Sequence, residues 1–81
     1  MKNTKNENNF PRRCYSKKQL ATLYFPDTTP DTSVRHLFAW IKRCRPLMEQ
    51  LLSLGYRPAQ RVLSPAQVGV IIDFLGEPGD D

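Results

Sequence analysis

Histidine occurs once in this chain, at His36, and cysteine twice, at Cys14 and Cys44. With no Cys-x-x-Cys pair and a single imidazole, a structural zinc site has too few ligands, and no metal is expected. No apolar run is long enough to serve as a membrane span or a secretory signal. A cytoplasmic protein with reduced thiols follows, its cysteines acting as small buried or half-buried apolar groups. No Ser/His/Asp grouping, no carboxylate pair in apolar surroundings and no glycine-rich phosphate loop is present. Glu49 and Asp73 are lone acids. Catalysis, a cofactor and a small-molecule substrate are therefore not expected.

Lysine and arginine are missing from residues 62–81, which hold four acids. Residues 1–15 carry four basic side chains against one acid, and residues 16–61 carry eight against three. The net charge of +4 is thus concentrated in the first three quarters of the chain. Such a dipolar molecule meets a polyanion with one side only, unless the charges merely solvate a surface.

Residues 1–13, "MKNTKNENNFPRR", have one apolar side chain besides the initial Met and read as a flexible, polar and basic arm. Residues 79–81 read as an acidic tail. Residues 14–78 remain for one small domain, near the lower size limit for a core without metals or disulfides. Mainly helical structure with local contacts suits that size.

Helix starts are written plainly. In "YSKKQL", Ser16 is placed as N-cap, Gln19 closes a capping box, and Tyr15 with Leu20 forms a hydrophobic staple. "LSPAQV" repeats the device with Ser64, Gln67, Leu63 and Val68, and adds Pro65 at the first helical position. Thr29 and Pro30 give another start, for a helix running to about Arg43. The first helix turns Leu20, Leu23 and Tyr24 inward and ends at Pro26. Pro46 opens a third helix that Gly55 stops, and Gly76 stops the last one. Residues 56–63 are too short and Pro-interrupted for a helix, so a loop or a small β-hairpin is expected.

The segment "TSVRHLFAWIKRCR", Thr32 to Arg45, carries the functional argument. At about 100° per residue, Val34, Leu37, Phe38 and Ile41 make a core stripe. Thr32, Arg35, His36, Ala39, Lys42 and Arg43 then form the opposite face, basic around one small residue. A major groove accepts one helix, and Arg is the commonest reader of guanine O6 and N7. Thr32, Arg35 and His36 are the expected base contacts. Lys17, Lys18, Lys42, Arg43, Arg45, Arg57 and Arg61 are the expected phosphate contacts.

A capped helix, a turn and a second helix with a basic outer face are the parts of a helix-turn-helix unit, although "FPDTTPD" is longer than its simplest turn. Arg57 and Arg61 around Tyr56 suit a wing, and Lys2, Lys5, Arg12 and Arg13 suit a minor-groove arm. On the last helix Val68, Ile71, Ile72 and Leu75 make the inner stripe, while Val70 and Phe74 fall outside it. Either a second copy of the chain covers those two, or the arm or the third helix does.

"YSKKQLATLYFP", "RHLFAWIKRC", "LLSLGYRPAQRVLSPAQV" and "FLGEP", in that order, resemble a domain-of-unknown-function family of short proteins of Bacteroides-type bacteria. More distantly, the chain is similar to the MerR and excisionase group of winged helix-turn-helix domains. The matching positions are Tyr15, Leu20, Ala21, Arg35, Trp40, Gly55, Tyr56 and Arg57. That similarity implies a four-helix, winged helix-turn-helix-like fold that binds double-stranded DNA, as a transcriptional regulator or mobile-element accessory factor. A homodimer through Val70 and Phe74 would match symmetric half-sites. The alternative is a protein-interaction adaptor on the same scaffold, using Val70, Phe74 and the rim around Trp40.

Overall fold

Helix starts in this chain coincide with hydroxyl side chains able to receive backbone amides. In the computed structural model, which describes residues 11–78, α1 spans Lys17–Tyr24, α2 Pro30–Arg43, α3 Arg45–Ser53 and α4 Pro65–Leu75. Both capping boxes are formed. Ser16 Oγ accepts from the Gln19 amide at 3.0 Å, and Gln19 Oε1 accepts from the Ser16 amide at 3.0 Å. Ser64 and Gln67 repeat the exchange at 3.2 and 3.0 Å. Thr29 Oγ1 caps α2 through the Thr32 amide at 3.3 Å, with Pro30 in the first turn. Only α3 lacks a side-chain cap; Pro46 lies in its first turn, and the Cys44 carbonyl accepts from Met48.

The end of α3 shows why Gly55 stands where it does. Its φ of +87° is open to glycine and strained for L side chains. With that turn made, the Gly55 amide donates to Leu52 O and the Tyr56 amide to Leu51 O, a Schellman closure. Leu51 and Tyr56 are buried together beside it.

Strand β1, Tyr15–Ser16, pairs antiparallel with β2, Val62–Leu63, in the register Tyr15 with Leu63 and Ser16 with Val62. The Lys17 amide extends the ladder to Arg61 O at 2.9 Å. The domain is therefore mainly helical, with four helices and a small two-stranded sheet. Residues 56–61 are a loop, and the partner of β2 comes from the front of the chain.

Leu20, Leu37, Ile41, Leu47, Leu51, Leu63, Val68 and Ile71 are fully buried and join all four helices to the sheet. Two expectations need correction. Leu23 does not point inward; it is 42% exposed. The small Ala21 packs fully buried beside Leu20, which turns the inner face of α1 toward it and away from Leu23. Cys14 is exposed as well. It precedes the buried Tyr15 in extended chain, where neighbouring side chains point to opposite sides.

On α4, Val68, Ile71 and Ile72 are buried, Val70 is half-buried against the core, and Phe74 remains exposed. Arg12 lies across this helix over Gly69 and pairs with Asp73 at 2.9 Å. The guanidinium of Arg13 sits 4.5 Å from the centre of the Tyr15 ring, and Tyr15 Oη donates to Pro11 O. Lys2, Lys5 and the tail 79–81 lie outside the described residues. No described helix is long and apolar enough to cross a membrane.

Candidate nucleic-acid interface

Helix α2 is held at its N-terminal end by a polar lock. Ser33, fully buried, donates to Phe25 O at 2.7 Å and shares a 2.6 Å hydrogen bond with Thr28 Oγ1. The turn after α1 is thereby fastened to the first turns of α2. Leu37 and Ile41 fix the remainder by burial, with Phe38 nearly so.

Fixed in this way, α2 leaves Arg35, His36, Ala39, Lys42 and Arg43 exposed. The ion pairs among the described residues, Arg12–Asp73 and Lys18–Asp31, engage none of them. Thr32 is the third residue expected to reach bases. It is half-buried, and its hydroxyl accepts from Thr29 Oγ1 at 2.9 Å as part of the helix cap. His36 rests 5.4 Å from the Phe25 ring, and Trp40 meets the same ring edge-on at 4.8 Å. Phe25 thus supports the flank of the exposed face.

Beside this face runs a groove of about 460 Å³ between α2 and α3. Val34, Phe38 and Ala39 form its α2 wall, and Met48 and Leu52 form its α3 wall. Tyr56 and Pro58 close one side, while Lys17, Arg35 and Lys42 supply the cations. Among the described residues, no carboxylate lines it.

Lys17 is the most constrained of these cations. Its Nζ donates to Pro58 O at 2.6 Å and stands 5.0 and 5.1 Å from the ring centres of Phe38 and Tyr56. Those rings are themselves stacked at 5.8 Å. Burial lowers the Lys17 pKa below its ordinary value, because the ammonium has lost part of its water. Burial raises the Tyr56 hydroxyl, with nearby Lys42 pulling the other way. The Lys17 charge is held inward by its own chain.

A second hollow continues from the groove, sharing Lys17 and Val34 and adding Lys18, Asp31 and Arg61. Lys18 is partly balanced there by Asp31 at 3.4 Å, with both side chains mostly in water. Such an exposed pair contributes little and separates readily. The fold therefore gathers Lys17, Lys18, Arg35, Lys42 and Arg61 along one connected surface. Arg43, Arg45 and Arg57 are exposed outside these hollows.

Met48, Leu52 and Pro58 are the lining residues that sequence pattern did not single out. A signal was present: Leu47–Met48 and Leu51–Leu52 are adjacent apolar pairs, wider than one core stripe requires. Leu47 and Leu51 are buried, Met48 is half-buried and Leu52 is 55% exposed.

No curated protein and no solved structure matches the chain. The family described as "Domain of unknown function (DUF4248)" matches residues 11–78, the whole of the described structure. The chain belongs to that family.

Proposed function

We propose that the exposed face of α2 binds double-stranded DNA, and that the protein is a non-enzymatic, cytoplasmic transcriptional regulator or mobile-element accessory factor. The observation that carries the reading is the exposed basic face: Arg35, Lys42 and Arg43 surround Ala39 and form no ion pair with a carboxylate among the described residues. A small residue at the centre lets the helix backbone approach base edges, and the flanking cations can hold phosphates. Arg35 and His36 would face bases. Lys42, Arg43, Arg45, Arg57 and Arg61 would take phosphates, with Lys18 joining once released from Asp31. Lys17 would act as a desolvated charge at the edge of the surface. Phe74 remains available for a homodimer, whereas Val70 already packs on the core of its own chain.

The test is duplex binding as a function of salt. Each phosphate neutralised contributes a slope of roughly −0.9 in log K against log salt, so several contacts give a steep line. No binding to duplex at low salt would end this reading.

A further inference from the structure

We infer that the groove between α2 and α3 takes an amphipathic helix of a second protein, apolar on its inserted face and acidic along its margins. Docking there does not depend on the DNA reading. A duplex laid on α2 offers Lys42 phosphates and Arg35 a base edge but gives Met48 and Leu52 little apolar surface to pack against. Leu52 is nonetheless the most exposed of the large apolar side chains among the described residues, at 55%, and it stands in the groove wall. An occupant must therefore bring apolar side chains to Leu52 and Met48. It must also suit a rim on which the described residues supply Lys17, Arg35 and Lys42 and no carboxylate, which favours acids on both flanks.

A helix is the shape that fits. Both long walls are helices, and an apolar stripe at i, i+3, i+4 and i+7 is the general way to fill such a groove. An occupant seated there covers Arg35 and Lys42. On the proposed function, it would also displace duplex.

The test is a display selection of random peptides of about 16 residues, long enough for some four helical turns, against the full chain. Enriched peptides should carry Leu, Ile, Phe or Met at helical spacing with Glu or Asp beside them. A synthetic winner should bind the Leu52→Ser variant at least about tenfold more weakly. Leu23→Ser, which changes an exposed leucine outside the groove, should leave its affinity unchanged, with circular dichroism checking both folds. Duplex binding, if present, should survive Leu52→Ser and be weakened by Arg43→Ala, so the two readings fail separately. Enrichment without acidic residues, or affinity indifferent to Leu52→Ser, would overturn the inference. A self-dimer abolished by Leu52→Ser would overturn it too, by making a second copy the occupant.

Discussion

Gln60 donates from Nε2 to Gln67 Oε1 at 2.8 Å, and the two amides join three parts of the chain. Gln67 Oε1 also accepts from the Ser64 amide, and its Nε2 donates to Leu54 O at 3.2 Å. Gln60 in turn donates to Val62 O and accepts from the Arg57 amide. The end of α3, the 56–61 loop and the start of α4 are fastened through these two side chains.

Replacing Gln67, which is 3% exposed, should therefore be costly. Gln67→Leu leaves the Leu54 carbonyl and Gln60 without their partner, and about 1–3 kcal/mol of stability should be lost. Gln60→Ala, at a less buried position, should cost less. Urea denaturation of both variants checks the order; equal losses would contradict it.

Gly55→Ala should destabilise through the backbone alone. An added Cβ meets nothing within 4 Å, but the φ of +87° disfavours it by roughly 1–2 kcal/mol. Gly69→Ala is the contrast. Its Cβ would sit 3.5 Å from Arg12 Nη1, an ordinary contact with a flexible side chain. Thermal unfolding should show a clear loss for Gly55→Ala and a smaller change for Gly69→Ala.

Tyr24 gives a pH prediction. Its hydroxyl donates to Gly76 O, and burial, followed by the charge of Glu77, pushes its pKa from 10.0 up to about 12. Below pH 10 the group is protonated in both folded and unfolded chains. From about pH 10 to 12 the unfolded chain loses this proton first, so stability falls as pH rises through that window. Tyr56 acts with the same sign. Lys17, lowered by burial, acts against it, because its folded form gives up a proton that the unfolded chain keeps. Tyr24→Phe should flatten the alkaline decline, as read by denaturant midpoints across that range. Parallel curves for the two proteins would assign the decline elsewhere.

Arg35→Ala and Arg43→Ala should separate two kinds of DNA contact. On the proposed function, Arg35→Ala reduces preference for a selected site over random duplex, by about 1–3 kcal/mol if the contact is bidentate to guanine. Arg43→Ala weakens both duplexes alike and reduces the salt slope by about one phosphate. Titrations of both variants on both duplexes check this; matching losses for the two variants would remove the division.

The helices were legible because their signals are local. Ser16, Thr29 and Ser64 lie within three residues of the amides they cap, and Gly55 acts on the turn immediately before it. The exposed basic face of α2 was legible for a similar reason, since one helical period places Leu37 and Ile41 opposite Arg43 and Ala39. What the pattern could not give depends on partners distant in the chain. Nothing near Tyr15 names Leu63 as its match. The outward position of Leu23 depends on Ala21 fitting closely within the core. The groove exists only because α3 brings Met48 and Leu52 beside Phe38, and the inward hold on Lys17 needs Pro58 and two rings from elsewhere.

The match between Tyr15–Ser16 and Val62–Leu63 also bears on when the protein can fold. Its two halves are among the first and last parts of the domain to leave a ribosome. A nascent chain that has released α1, α2 and α3 still lacks the strand that buries Tyr15 and the helix that carries Gln67. Completion must wait until β2 and α4 have emerged, so the domain should finish folding only after its last elements are made.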